Sequence, residues 1–325
     1  MASEIPETIP ETKEAAGITQ SEEFLRPKVN FFVTEDGLRS GWRLLVYFAL
    51  LILFSFVLNM AIGMFAGPPN SGVPGVWPQL WQEVGGFAVA FGVAMIMSRI
   101  ERRPLGVYGL PGSELFGKKF WLGFLFGLLE VTLLVGLISA FDGYSFGTLA
   151  LRGSQIPLWA LFHLVMFTFV GLFEEFLFRG YTQFTLGDGI GFWPAAFVLS
   201  FLFGGTHLFN PGEGIVGAVS VVLIGLLWCF TVRRTGSLWY AVGMHASFDW
   251  GETYLYSVPN SGTFMEGHLS NAVVHAGPNW LTGGTVGPEG SVFCFLTIAL
   301  QFLVVLWLFP AKKNGAADEA ELVEQ

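Results

Sequence analysis

The sequence predicts an all-α, polytopic membrane protein of about eight transmembrane helices, and three observations carry that prediction. Apolar residues make up 53% of the 325 positions and charged residues 13%, about half the charged share of a soluble domain. Several stretches of 18 or more residues are nearly free of charge, enough to cross a hydrocarbon core of about 30 Å. The Lys and Arg residues between those stretches fall almost entirely in alternate loops.

In chain order the spans read 43–66, 79–98, 120–141, 157–186, 191–209, 213–232, 237–256 and 291–309. The first apolar run begins near Leu44, too far in for a secretory signal peptide, and is expected to be the first membrane helix. Trp77, Trp81 and Trp121 suit interfacial anchoring of the second and third spans. The fourth is long for a span, so it tilts or projects from the bilayer.

Orientation follows from the basic residues. Arg26, Lys28, Arg39 and Arg43 precede the first span; Arg99, Arg102, Arg103, Lys118 and Lys119 lie between the second and third. Arg233 and Arg234 separate the sixth and seventh, and Lys312 and Lys313 follow the eighth. With eight spans all of these share one side, which the positive-inside rule makes the cytoplasm. Arg152 alone falls in an outer loop and Arg179 within a span. Both termini are thus expected in the cytoplasm of a prokaryotic cell, around a multi-pass plasma-membrane protein.

The net charge of −9 resides largely in the ends, from Glu4 to Glu23 and from Asp318 to Glu324. Three regions are expected: a disordered acidic tail over 1–40, a transmembrane helical domain over 41–310 and a short tail over 311–325. No basic surface points to nucleic acid, and membrane lipid is the expected surrounding. Cys229 and Cys294 lie in apolar runs and read as buried thiols, not a disulfide. The loop 257–290, rich in Gly, Ser, Asn and Pro and holding His268 and His275, reads as a solvated connector.

An ionisable side chain in hydrocarbon costs at least about 2.5 kcal/mol, so each one within a span starts as a functional candidate. The fourth span carries Glu174, Glu175 and Arg179 in an otherwise apolar run. Glu175 and Arg179 stand four apart on one helical face and can pair, whereas Glu174 is turned by about 100° toward another helix. The fifth span carries Phe203-Gly-Gly-Thr-His207, and the seventh His245-Ala-Ser-Phe-Asp249, again four apart. Counted along their helices, Glu174, His207 and His245 come to overlapping depths. His163 reads as an interhelical hydrogen-bonding residue and Glu130 as a structural or cavity residue.

These residues, in this order, resemble the CAAX protease and bacteriocin-processing (CPBP, or Abi) family of intramembrane endopeptidases, which includes the type II CAAX prenyl endopeptidases. The family pattern Glu-Glu-x-x-x-Arg, Phe-x-x-x-His and His-x-x-x-Asn/Asp stands here at Glu174-Glu175-x-x-x-Arg179, Phe203-x-x-x-His207 and His245-x-x-x-Asp249. The resemblance covers about residues 157–256. It implies peptide-bond hydrolysis without an acyl-enzyme, on a protein or peptide substrate of prenylated or membrane-anchored type, with no cofactor. On that reading Glu174 is the general base, His207 holds the water or protonates the leaving amine, and His245 and Asp249 face the oxyanion. Glu175 and Arg179 organise the site, and Phe203 packs. The chain departs from the common pattern at Asp249, where many members carry Asn. Asp249 donates a hydrogen bond only when protonated; ionised, it orients His245 instead.

Two other readings use the same residues. Glu174, His207 and His245 make an acceptable zinc set for a metal-dependent peptidase, although the helical His-Glu-x-x-His pattern is absent. Intramembrane carboxylates and histidines also build the proton relays of ion-coupled carriers, and a non-catalytic scaffold could hold them too; inverted repeats are not visible.

Overall fold

The computed structural model describes residues 31–34, 37–66 and 76–311. The expected tails, with Arg26, Lys28, Lys312 and Lys313, lie outside the described residues over 1–30 and 312–325. The stretch ending at Arg39 forms a unit of its own, in which Val33–Thr34 pairs antiparallel with Gly37–Leu38.

The second unit begins at Ser40 and is helical throughout its apolar length. Its helices are α1 (Ser40–Ala66), α2 (Val76–Glu101), α3 (Lys118–Ala140), α4 (Gln155–Arg179), α5 (Tyr181–Ile190), α6 (Phe192–His207), α7 (Ile215–Thr235), α8 (Trp239–Trp250), α9 (Asn279–Thr282) and α10 (Phe293–Leu308). Among the described residues, five helical stretches are long and apolar enough to cross a membrane: α1, α2, α3, α4 continued by α5, and α7. Helix α1 turns Ile52, Leu53 and Phe56 outward, as a lipid-facing helix does. This is an all-α polytopic membrane protein.

Three of the eight expected spans are shorter helices. Helices α6 and α10 have 16 residues each, and α8 has 12. Gly191 at φ +86° halts α6 at its start, and the Asn210-Pro211-Gly212 turn follows its end. Helix α8 does not simply stop: Gly251–Leu255 continue it as a wider turn closed by Tyr256 N donating to Gly251 O at 2.8 Å. The fourth span is not one tilted helix. It breaks at Gly180 (ψ −123°), where a Cβ would run into the Phe176 carbonyl, and α5 leaves at a new angle.

A polar knot ties the basic ends together. Arg43 at the start of α1 pairs with Glu101 of α2 at 2.9 Å and with Asp188 of α5 at 3.0 Å, and Arg103 joins the same Asp188. Tyr108 and Tyr181 donate to Glu101. Lys119 at the start of α3 donates to the Thr235 carbonyl at the end of α7. Arg43, Arg103 and Lys119 therefore mark one end of the helical unit.

The most extensive helix pairing joins α3 to α8. Gly123 and Gly127, four apart on α3, meet the backbone of α8 at Tyr240 and Met244, and Gly243 of α8 meets Phe120 of α3. Lipid offers no hydrophobic drive for helices to associate, so close backbone approach at small residues supplies the contact. At the opposite end from the basic knot the loop after α8 is built, not merely solvated. Val273–Val274 pairs with Tyr144–Ser145, and His275 accepts or donates at Ser145 Oγ (3.1 Å) while its Nδ1–H is donated to Asp142 O. Cys229 and Cys294 are free and buried.

Candidate active site

Helix α4 delivers Glu174, Glu175 and Arg179, and α8 delivers His245 and Asp249 across from them. Gly171, one turn before the glutamates, lets the two helices close: a Cβ there would stand 3.1 Å from Val242 O and 3.5 Å from His245 Cβ. The buried Glu175 is the hub of the arrangement. Its Oε1 receives the Arg179 guanidinium at 3.3 Å, one helical turn on, and His245 Nδ1 at 3.0 Å. A carboxylate only accepts, so Nδ1 carries a proton and the ring is fixed with Nε2 pointing away. Trp228 of α7 stacks on the other face of the imidazole, ring centres 4.6 Å apart.

Around Nε2 stand two further carboxylates. Asp249 Oδ2 is 3.4 Å away and Glu174 Oε2 is 3.8 Å away. The two adjacent glutamates thus address opposite nitrogens of one histidine, Glu175 buried and Glu174 28% exposed. Asp249 thus meets His245 on the Nε2 side, while Glu175 holds the ring at Nδ1.

His207 is the last residue of α6, where the helix opens into its loop. Its Nδ1–H is donated to Phe203 O at 2.8 Å, again leaving Nε2 as the free nitrogen. Phe203 is a packing residue with a charge on its face: the Arg179 guanidinium lies 4.1 Å from its ring centre. His207, His245 and Asp249 line one cavity of about 70 Å³, room for several waters. Glu174 does not line it but reaches His245 from the α4 side. His163 takes no part; its Nε2 meets Glu266 O at 3.0 Å and holds α4 to the outer loop. Among the described residues no three His, Cys, Asp or Glu side chains are arranged to hold a metal ion.

Several residues near the site were not singled out from the sequence. Glu83 of α2 interacts electrostatically with Glu174, Asp249 and His245; a lone carboxyl in an apolar span was the signal available. Trp228 had none, being an ordinary aromatic in an apolar helix. Asn260, Ser261 and Glu289 of the outer loop line the cavity with Glu130 and Glu252, so this loop is more than the connector its composition suggested. Glycines at positive φ, Gly262 and Gly287 among them, fold it back over the helices.

A polytopic helical protein with a carboxylate–histidine cluster facing an internal cavity has the makings of a membrane hydrolase. Comparison makes that class specific. Residues 155–251 match the family model described as Rce1-like, type II CAAX prenyl endopeptidase Rce1-like. The chain carries this domain over α4 to the end of α8, and it is in general terms an intramembrane endopeptidase acting on protein or peptide substrates. No curated protein and no solved structure matches the chain.

Proposed function

We propose that the chain hydrolyses a peptide bond within the membrane by means of a water activated at Glu174. One observation carries this reading: Glu175 consumes Nδ1 of His245, so the half-buried Glu174 faces Nε2 at 3.8 Å, with Asp249 at 3.4 Å, beside a cavity that His207 also lines. Glu174 takes a proton from the water, whose oxygen bonds to the amide carbon. The oxyanion that forms accepts from His245 Nε2–H, the ring carrying both protons, one on each side. Collapse breaks the C–N bond, and the proton held by Glu174 passes to the leaving amine. His207 Nε2 holds the water on its second side. Arg179 and Glu175 aim His245 without touching substrate, and Asp249 braces the outer edge of the ring until substrate arrives.

With the basic knot placed in the cytoplasm, the cavity lies toward the outer half of the bilayer, walled by the loop after α8. That favours a membrane-anchored protein or peptide as substrate, in a prokaryotic plasma membrane. The test is Glu174→Gln in cells, with terminal-peptide proteomics of isolated membranes. The variant is expected to insert at wild-type level and to lose a defined set of cleavage products. An unchanged product set rejects Glu174 as the base.

A further inference from the structure

Part of the cavity wall is made of carboxyl groups that the mechanism does not use. Glu130 of α3, Glu252 beyond α8 and Glu289 before α10 all line it and are all buried, at 3%, 1% and 8% exposure. Both oxygens of Glu130 lack a hydrogen-bond partner, as do Glu252 Oε1 and Glu289 Oε2. The hydroxyl closest in kind, Thr297, gives its proton to Cys294 O at 3.0 Å. Glu252 and Glu289 are hydrogen-bonded to each other, and the other electrostatic neighbours of Glu252 are Asp249 and Glu130, again carboxyls. Among the described residues no Lys or Arg lines the cavity.

Buried carboxyl oxygens without a protein donor are costly to ionise, and three neighbouring carboxyls cannot all ionise without a counter-charge. The same cavity has an apolar floor that includes Val221, Ile224 and Ile298. An ammonium on a methylene stem answers each feature: three donors and a positive charge for the carboxyls, and an alkyl chain for the floor. We infer that this wall is a subsite for a basic side chain of the substrate, Lys or Arg, close to the bond that is cut. The inference rests on the peptidase reading above for its meaning, but the site itself does not depend on turnover.

Two measurements on the full-length protein separate the two. The first uses purified Glu174→Gln protein, which does not turn over, and follows its thermal midpoint with n-butylammonium chloride, with 1-butanol and with sodium chloride. Stabilisation by butylammonium alone, abolished by Glu130→Gln, is expected. Equal stabilisation by sodium would reassign the wall to an inorganic cation and overturn the proposal, as would no stabilisation at all. The second uses peptides spanning a bond cleaved by the wild type, carrying Lys or its neutral counterpart norleucine at each of the flanking positions. At one position the Lys peptide should be preferred by at least about tenfold in kcat/KM, with that ratio reduced in Glu130→Gln and in Glu289→Gln. Equal cleavage of both peptides, or a ratio untouched by both substitutions, overturns the subsite. Butylammonium binding without any Glu174-dependent cleavage would leave the subsite standing and remove the peptidase mechanism instead.

Discussion

Gly127→Ala tests whether the aim of His245 is set by how closely α3 and α8 approach. A Cβ at position 127 would stand 2.9 Å from the Met244 carbonyl carbon and nearer still to its oxygen and to Ser247 Oγ. Ordinary contact begins at about 3.4 Å, and two of the three neighbours are backbone atoms, which cannot swing aside as the Ser247 hydroxyl can. The helices must part by about 1 Å, and the residue after Met244 is His245 itself. Overpacking of this kind costs about 1–3 kcal/mol of stability. A misplacement of about 1 Å at a reacting group costs about 100-fold in rate. Gly136→Ala on the same helix is the control, since nothing lies within 4 Å of its added carbon. Both variants are purified in detergent, with thermal midpoint and cleavage of a wild-type substrate measured side by side. The expected result is a large loss of kcat/KM for Gly127→Ala with a modest fall in midpoint, and neither for Gly136→Ala. Wild-type kcat/KM in Gly127→Ala would refute the claim that this crossing positions the histidine.

Two further outcomes follow from the same geometry. Arg179→Met removes one member of a fully buried pair and leaves Glu175 with His245 alone, so a loss of about 3–5 kcal/mol is expected in chemical denaturation; restoration by a second change, Glu175→Gln, would show that the stranded charge is the cause. Burial pushes the Glu289 carboxyl up from its ordinary range, so the folded state holds a proton that the unfolded chain has released. Its contribution to stability is present at low pH and is lost as pH rises from the ordinary carboxylate value toward the raised one. The thermal midpoint should therefore fall from pH 5 to pH 8, with a shallower slope in Glu289→Gln.

What the sequence made legible was whatever a single helix encodes. Glu175 with Arg179 and His245 with Asp249 are four-residue spacings, and the helix places each pair together without help from tertiary structure. The gathering of Arg43, Arg103 and Lys119 at one end of the helices was likewise readable, because it depends only on loop parity. What spacing could not encode is which nitrogen of His245 each carboxylate meets. Glu175 reaches Nδ1 and Asp249 falls to Nε2 because of how α4 crosses α8, a matter decided by Gly171 and the α3 glycines. Glu83 sits 91 positions before Glu174 on a helix with no other ionisable group in its apolar centre, so no local pattern joins them. The break at Gly180 was hidden because apolar residues continue on both sides of it. The loop after α8 misled for a related reason: a Gly- and Pro-rich composition describes its backbone turns but not the buried carboxyl of Glu289.

The inequality of the two adjacent glutamates follows from the same crossing. One turn of helix cannot bury both carboxylates equally, because neighbouring residues diverge by about 100°. The inner one meets Arg179, whose position is itself confined: a Cβ on Gly225 of α7 would collide with the guanidinium, and Phe203 and Trp228 close its faces. Glu175 is thereby neutralised and made rigid, which suits it to hold a ring and disqualifies it as a base. The outer one is less deeply buried and stands 3.8 Å from His245 Nε2, which on the proposed reading leaves it able to take a proton from a water and return it. In a membrane, where packing and not water exclusion holds helices together, Gly123, Gly127, Gly171 and Gly225, on three helices, decide that division of labour.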